Sequence, residues 1–388
     1  MRNIKYFTSD TIEELPWPET EEGVYAKKFL LPLIKDGPTN FVDNAHTNMG
    51  VLLMDDVVLP LTVNYTSYPQ NPLLETQATS VASPSYICSP SSQYVGFGAE
   101  IYGKKNRLFK TCFATLDKLF QWAKLDKVVM VNNWLFATNL YPELTFEQVK
   151  TISHFLRERF PNYTILFRSV NPAYDLKLYL SLRKLGFSMS VNRAVYISED
   201  FEAIFQSRMF KSDLKILKSS PYQILENDNI QENQFQRLVD LYRYLYIDKY
   251  SKFNPQFNKK FIELLLRTKT LHFKALEKDG KIDAVMGYFI RRNVITSPLF
   301  GYDTTLPQEL GLYRQISTLL ALEAKERNCL LNHSSGAGSY KKLRRAKPVL
   351  EYIAIDTKTA PLRQKAVWSL MKNMMNLFAE SFMNKIDL

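Results

Sequence analysis

The chain has 388 residues, of which 46% are hydrophobic, 13% aromatic and 23% charged. This balance is typical of a folded globular protein and excludes extensive disorder; at roughly 100–200 residues per domain it predicts two domains. The formal net charge of +11 favours anionic partners, such as acyl-CoA, an acidic carrier protein, tRNA or an anionic membrane face, or else serves only solubility.

The cysteines and the apolar stretches predict a cytoplasmic protein. Cys88, Cys112 and Cys329 lie far apart without metal-ligand spacing, which favours a reducing compartment and no metal site. The first ten residues lack the apolar core of a signal peptide. No stretch approaches the roughly 18 apolar residues of a membrane helix, so we expect no membrane span.

The first half of the chain predicts alternating strands and helices. Residues 1–48 are predicted to be irregular because proline and glycine interrupt them, and residues 51–63 predict a β-hairpin. Residues 66–84 predict a long loop, which is often a lid or a binding segment. Further helices are predicted at 107–124, 145–160 and 173–184, and further strands at 128–131, 164–167 and 189–197.

Two polar segments have alternative interpretations. Hydroxyl groups are dense between Tyr86 and Tyr94. Either Ser89, Ser91, Ser92 and Tyr94 line a substrate, or Ser91 or Ser92 caps the following helix. In the predicted helix 205–220, basic residues repeat every three or four positions and form either a phosphate-binding face or an ordinary solvated face. These residues are Arg208, Lys211, Lys215 and Lys218.

The second half begins with two helices, at 233–247 and 258–267, and continues with a three-stranded meander over 271–302. A helix at 310–325, a strand at 329–332, a short basic helix at 340–345 and a strand at 349–355 follow. The last helix, 361–386, has an apolar stripe. We expect this stripe to dock on the body of the protein or on a second subunit, so an oligomer is one alternative.

Three glycine-containing motifs in this half suggest a family. They are Gly301-Tyr302-Asp303, Gly311-Leu312-Tyr313 and Gly336-Ala337-Gly338, the last followed by the basic run 341–345. With the order of elements, they resemble the CelD/BcsL-like acetyltransferase domain of the GNAT superfamily and its FemABX relatives. The motifs cover Leu271 to Ile355. The resemblance implies an α/β fold with two GNAT-like units in tandem, each a mixed central sheet flanked by helices, over residues 1–204 and 205–388.

The resemblance also implies where a donor would bind. The acyl donor, an acyl-CoA or acyl-phosphopantetheine thioester, is expected in a gap between strands 294–302 and 329–332, with its pyrophosphate at the helix start near Gly311. Glu309 lies in this phosphate loop and opposes a phosphate. An acyl carrier protein or an aminoacyl-tRNA therefore becomes a credible donor.

Candidate site residues follow from these positions. His333 is the predicted general base, because its ordinary pKa is near neutrality; the alternative is a histidine hydrogen-bonded within its loop. Ser334 is predicted to stabilise the acyl oxygen, and Tyr302 and Tyr313 to protonate the leaving thiolate or to orient the amine. The predicted donor-binding residues are Gly311, Ser335, Gly336, Gly338, Lys341 and Arg344.

The predicted function is N-acyl transfer from a thioester to a small-molecule or peptide amine by direct attack. Two alternatives stay open. One is aminoacyl transfer from charged tRNA, and the other is a GNAT-like binding module without catalysis.

Overall fold

The computed structural model describes residues 4–64, 84–100 and 107–384. Its internal contacts form two compact units. Unit 1 contains Met1–Arg193, Phe253–Pro255 and Leu350–Leu388, and unit 2 contains Ala194–Lys252 and Gln256–Val349. Both units are α/β, so the predicted fold class is confirmed.

The strands in the described part of the chain are β1 (Ile4–Phe7), β2 (Asn48–Met54), β3 (Val57–Val63), β4 (Val128–Val131), β5 (Thr164–Val170), β6 (Ser188–Ser198), β7 (Gln223–Glu226), β8 (His272–Lys278), β9 (Lys281–Arg291), β10 (Val294–Tyr302), β11 (Leu330–Asn332) and β12 (Lys347–Asp356). The α-helices are α1 (Glu21–Asp36), α2 (Arg107–Ala123), α3 (Phe146–Arg159), α4 (Leu176–Lys184), α5 (Phe201–Gln206), α6 (Arg208–Lys218), α7 (Phe235–Arg243), α8 (Lys259–Arg267), α9 (Leu312–Glu326), α10 (Gly338–Lys342) and α11 (Leu362–Asn384).

Unit 1 has a mixed sheet in the order β1-β2-β3-β4-β5-β12. The pair β4–β5 is parallel and the other pairs are antiparallel. Helix α3 connects the parallel pair and begins with the predicted capping box of Thr145 and Gln148. The strands are buried almost throughout because apolar side chains cover both faces of the sheet.

Unit 2 has the order β11-β10-β9-β8-β7, in which β10–β11 is parallel. The predicted meander is confirmed, since β8 and β9 are joined by Asp279-Gly280 with positive φ at both residues, as a tight hairpin requires. Helix α9 follows β10 and leads to β11. One face of α9 packs on the sheet through Leu312, Ile316, Leu319 and Leu320.

The last strand of each half of the chain forms an antiparallel pair with a strand of the other half. That partner strand is in each case a member of its own half's parallel pair. β12 joins β5 in unit 1, and the end of β6 joins β11 through Ser198 and Leu331. The prediction that β12 closes the C-terminal unit is therefore wrong at this strand. The alternating apolar residues of β12 are compatible with antiparallel pairing to either half of the chain. The sequence pattern alone therefore does not predict which strand β12 pairs with. The predicted boundary after residue 204 lies within unit 2.

Other expectations need local correction. Residues 1–48 are not irregular throughout, because α1 begins at the N-cap Thr20 and accommodates Pro32 in its interior. The predicted helix 205–220 is two helices, since Ser207 ends α5 and caps α6. The predicted loop 66–84 lies outside the described residues except for Pro84. No helix in the described ranges is long and apolar enough to cross a membrane.

Candidate active site in unit 2

Strands β10 and β11 separate at the carboxyl end of their parallel pairing. They pair over three residues, ending with Thr296 opposite Asn332. β10 then has a bulge and runs on to Tyr302, where its described pairing is with β9 alone. The carboxyl edge of a parallel pair is where ligands bind in α/β sheets. The separation lies between the strands that the sequence predicts.

Helix α9 begins beside this separation. Gly311 takes the left-handed conformation, with a φ of 60°, and the helix has no side-chain cap. The first amides of a helix lack intrahelical partners and attract anions. Glu309 is exposed one short turn before the helix. The start of α9 therefore combines free amides with one opposing carboxylate.

Two buried polar atoms mark the same region. They are Oγ1 of Thr296 in the last rung of the parallel pair and Oε1 of Gln315 in the first turn of α9. Neither has a hydrogen-bond partner within the described ranges. Buried groups of this kind are rare, and a ligand site is one explanation for them.

Aromatic rings line the first turn of α9. The ring of Tyr313 lies 5.0 Å from that of Tyr340 and 6.0 Å from that of Tyr302. Burial raises the pKa of Tyr313 strongly and that of Tyr340 to about 12, so both hydroxyls are neutral. The Tyr302 hydroxyl accepts a hydrogen bond of 3.3 Å from the ammonium of Lys249. Lys249 and Tyr340 were not predicted as site residues.

A buried aspartate organises the basic groups. Asp213 is 1% exposed and accepts hydrogen bonds from Nε of Arg314, at 2.5 Å, and from Nε and Nη2 of Arg344. The guanidinium of Arg344 also lies 3.4 Å from the ring centre of Tyr340. We call Asp213, Arg314 and Arg344 the Asp213 cluster. Its net charge is positive, although Arg344 already has an anionic partner where the sequence predicts a phosphate.

His333 has a different environment from the predicted one. Its Nε2 is 2.8 Å from the hydroxyl of Ser198. Burial, followed by the charge of Lys341, lowers the pKa of His333 to about 3. A group of this pKa is neutral but only weakly basic near pH 7. The geometry therefore favours a hydrogen-bonded histidine, although its partner is Ser198 at the end of β6 and not a carbonyl of the loop.

Lys341 supports the loop that follows β11. Lys341 is 6% exposed. Its ammonium donates hydrogen bonds to the carbonyls of His333, Ser334 and Ser335 at 2.7–3.2 Å. These contacts occupy the donors that were predicted to bind a phosphate. The main role of Lys341 is therefore to hold the backbone of this loop in place.

Gly336 and Gly338 are required in this loop for different structural reasons. Gly336 has a φ of 76° with open space around it, whereas a Cβ on Gly338 would lie 2.1 Å from the Tyr196 hydroxyl. Ser334 also has positive φ, and its amide donates to Asn332. Ser335 and Gly336 are exposed at the loop tip. The predicted loop residues thus lie together, with only the tip accessible.

The basic face of α6, formed by Arg208, Lys211, Lys215 and Lys218, is exposed. Its three lysines line a shallow groove of about 370 Å³. Helix α6 packs near the start of α9, because a Cβ on Gly311 would lie 3.3 Å from Ile216. Since Asp213 of α6 also accepts from Arg314 of α9, helix α6 contacts the start of α9 with the side opposite its basic face.

The serine-rich segment of unit 1 makes internal hydrogen bonds. Ser89 accepts from the amide of Ser92 and donates to Asp126 at 3.0 Å, and the hydroxyl of Ser92 donates to the carbonyl of Pro84. A serine therefore caps the helix, but the capping residue is Ser89 and not the predicted Ser91 or Ser92. The described residues contain no group of three or more potential metal ligands.

Comparisons with known proteins find structural likenesses only. No family model and no curated protein matches the chain. Solved structures with a similar fold include FemX, at 7% identity over 58% of this chain and 79% of that chain with a TM-score of 0.44. The L-PGS of Bacillus licheniformis has 14% identity over 58% and 77%, with a TM-score of 0.42. A probable N-acyltransferase from Enterococcus faecalis V583 has 9% identity over 92% and 72%, with a TM-score of 0.37.

A GCN5-related N-acetyltransferase from Kribbella flavida is also similar, at 10% identity over 60% of this chain and 81% of that chain with a TM-score of 0.31. These likenesses concern the arrangement of the chain and do not assign an activity.

Proposed function

We propose that unit 2 is an N-acyltransferase that moves an acyl group from a thioester donor to an amine. The observation that carries the proposal is the separation of β10 from β11 beside the uncapped start of α9. The separated strands leave backbone groups available to a ligand, and the helix amides suit the phosphates of acyl-CoA or of acyl-phosphopantetheine on a carrier protein. The buried unpartnered atoms in the same region support a ligand site.

The reaction needs positioning more than covalent catalysis. The amine nitrogen attacks the thioester carbonyl carbon, the C–N bond forms, and the C–S bond breaks as the thiolate leaves. The amine loses one proton and the thiolate gains one. Tyr302 is the best-placed proton donor, because its hydroxyl lies beside the Lys249 ammonium, whereas burial raises the pKa of Tyr313 and of Tyr340. The weakly basic His333 is a poor acceptor of the amine proton.

The basic face of α6 favours aminoacyl-tRNA as a second candidate donor. Arg208 to Lys218 span about 15 Å of helix axis at 1.5 Å per residue, which exceeds what one pyrophosphate requires. Four exposed cations on one face suit consecutive phosphates of a nucleic acid. In this candidate the aminoacyl ester would take the place of the thioester at the same site.

Ligand-dependent stabilisation tests the donor class. Purified protein is titrated with CoA, acetyl-CoA and a long-chain acyl-CoA while its melting temperature is measured. A ligand at about 100 times its Kd stabilises the folded state by about 2.7 kcal/mol, so an acyl-CoA donor should raise the melting temperature clearly. If CoA compounds have no effect, acyl carrier proteins and charged tRNA are tested next. Failure of all three classes would favour the binding module.

Tyr302→Phe tests the chemistry once a donor is known. We expect a fall of about a hundredfold in turnover, because general acid catalysis contributes about 10²–10⁴-fold, with little change in the melting temperature. Tyr250→Phe is the matched control, since Lys249 lies 5.9 Å from the ring of Tyr302 and 5.8 Å from that of Tyr250. Equal turnover of the two variants would remove Tyr302 from the reaction.

A further inference from the structure

Unit 1 buries an arginine where its own parallel strands stop pairing. β4 and β5 pair from Val128 opposite Thr164 to Val131 opposite Phe167, and Arg168 is the next residue. Its side chain belongs to a residue that is only 2% exposed. Arg168 therefore occupies the carboxyl end of a parallel pair, the edge of an α/β sheet where ligands bind.

The guanidinium of Arg168 forms no ion pair in the described part of the chain, although the charge of Glu351 acts on it. Within the described ranges no carboxylate lies within 4.0 Å of it, and its one hydrogen bond, from Nη1, goes to the carbonyl of Ile87 at 3.0 Å. The buried carboxylate of Glu351 is already paired with Arg193 through bonds of 2.8 and 3.4 Å. Two cations and one anion leave one positive charge in excess.

Two further polar groups near Arg168 are neutral. Burial raises the pKa of the Cys88 thiol to about 12 and that of the Tyr94 hydroxyl to about 12. Neither group supplies the missing negative charge. A buried unpaired charge costs several kcal/mol, so a protein that only needed to fill this space would gain from an apolar residue.

One atom of Arg168 is a hydrogen-bond donor without a partner. Nε of Arg168 is buried and makes no hydrogen bond in the described part of the chain. Two hydroxyls lie nearby, since Tyr94 interacts electrostatically with Arg168 and hydrogen-bonds with Ser190. We call Arg168, Tyr94 and Ser190 the Arg168 cluster. One hydroxyl donates to the other, so the cluster presents the Arg168 donor and one hydroxyl donor, and it lacks an acceptor with a negative charge.

We propose that the Arg168 cluster binds the carboxylate of a ligand. A carboxylate carries one negative charge, which balances the excess charge, and its two acceptor oxygens fit a guanidinium and a neighbouring hydroxyl. A phosphate dianion would overcompensate the charge. The carboxylate belongs either to a small free acid or to the C-terminus of a peptide. This site is distinct from the acyl-transfer site of unit 2 and does not depend on it.

Titration with matched probes tests the proposal. The full-length protein is equilibrated overnight with acetate, with the dipeptide Ala-Ala or with its C-terminal amide, and with inorganic phosphate at equal ionic strength. Binding is measured by calorimetry and by the shift in melting temperature, and mass spectrometry of the denatured protein detects any acid that co-purifies. We expect a carboxylate to bind and the amide not to bind. Acetate binding indicates a small acid, whereas binding of the dipeptide alone indicates a peptide terminus.

Two substitutions connect the binding to the cluster. Arg168→Met should weaken carboxylate binding at least tenfold, and Tyr94→Phe severalfold while keeping the ring that packs on Trp368. Arg183→Met is the control, because Arg183 is exposed in the same unit and lies 5.7 Å from the ring of Tyr179, as Arg168 does from that of Tyr86. If Arg168→Met does not fold, Tyr94→Phe carries the test.

Three results would overturn the proposal. One is that no carboxylate binds and no acid co-purifies, which would leave the cluster with a structural role. Another is that phosphate binds more tightly than any carboxylate. The third is that Arg168→Met, or Tyr94→Phe where that variant carries the test, binds carboxylates as the wild type does.

Discussion

At the scale of single residues, the environment of a side chain decides its role more than its type does. The ammonium of Lys341 and the guanidinium of Arg344 both have the chemistry to bind phosphate, yet one holds three carbonyls and the other holds Asp213. His333 has the residue type of a general base, but burial lowers its pKa. The sequence predicted that Lys341, Arg344 and His333 lie in one loop region. It did not predict hydrogen-bond partners such as Asp213, because these are distant in the sequence and no local spacing pattern links them to the loop.

Asp213 carried a readable signal in the sequence. It is the single acid among the basic residues of α6, and it lies three residues after the buried Phe210 and thus on the buried side of the helix. A charge at an apolar position requires a buried partner. The sequence pattern can therefore predict that a cation approaches Asp213, although it cannot tell that Arg314 and Arg344 both do so.

Lys341→Met should destabilise the protein by about 2–4 kcal/mol, because three backbone carbonyls lose a buried charged donor. Chemical denaturation measures the free energy of unfolding. Lys342→Met is the matched control, since the neighbouring Lys342 is exposed and its replacement should change stability by less than about 0.5 kcal/mol. Similar values for the two variants would show that the loop does not depend on Lys341.

Asp117 and Asp126 predict how stability depends on pH. Burial raises the pKa of each to about 6, and for Asp117 the charge of Asp126 adds to the effect. One oxygen of each carboxylate is buried without a partner in the described ranges. The folded state therefore holds more protons than the unfolded state between about pH 4 and pH 6. The destabilising contribution of Asp117 and Asp126 reaches its full value above about pH 6, and it disappears as the pH falls toward about 4.

Asp117→Asn should accordingly stabilise the protein at pH 7.5 by about 1–2 kcal/mol, and the gain should disappear near pH 4. Unfolding by urea at pH 7.5, 6 and 4.5 measures the effect. Asp240→Asn is the control, because Asp240 is also a helical aspartate that accepts from a glutamine one turn away but is partly exposed. A gain that is constant with pH would contradict the titration of the Asp117–Asp126 pair.

At the scale of elements, local patterns located most helices and strands of the described ranges. Two-residue turns, the capping box and apolar periodicity are local signals, and the predicted meander and helix α9 follow from them. Partner choice is not local. The pairing of β12 with β5 joins Asp356 to Ile165 across the chain, and the strand pattern is compatible with either half.

Gly301 illustrates an element-scale constraint that the sequence shows only as a motif. A Cβ at this position of β10 would lie 2.6 Å from backbone atoms of Leu241 and Tyr242 in α7. Backbone atoms cannot give way as a flexible side chain can. The close approach of α7 to β10 therefore requires a glycine at position 301. Gly301 in the Gly301-Tyr302-Asp303 motif thus has a packing role.

Gly301→Ala should cost about 2–4 kcal/mol in the free energy of unfolding, since overpacking at a rigid contact is expensive. Gly287→Ala in β9 is the matched control, because its nearest contact would be a side-chain atom of Leu271 at 3.0 Å. We expect the control to cost less than half as much. Equal costs would mean that α7 moves away from β10 readily.

At the scale of the whole molecule, a positive charge of +11 raises the question of whether anion binding is general or local. A general field would attract any polyanion through all exposed lysines. The structure instead places four cations on the exposed side of α6, while the opposite side of this helix contacts the start of α9. The sequence predicted the stripe, and the structure shows that it lies on a helix next to the candidate active site and points away from the contact with α9.

The salt dependence of RNA binding separates these two alternatives. The slope of log affinity against log salt is about 0.7–0.9 per neutralised phosphate, so replacing Lys211, Lys215 and Lys218 by glutamine should lower the slope for bulk tRNA by about 2–3. Replacing the exposed Lys27, Lys28 and Lys118 of α1 and α2 by glutamine removes the same net charge elsewhere. If the second triple variant loses as much slope as the first, the attraction comes from the total charge. If only the first loses it, α6 binds phosphates at defined positions, and a polyanionic donor at the start of α9 becomes the favoured form of the proposed reaction.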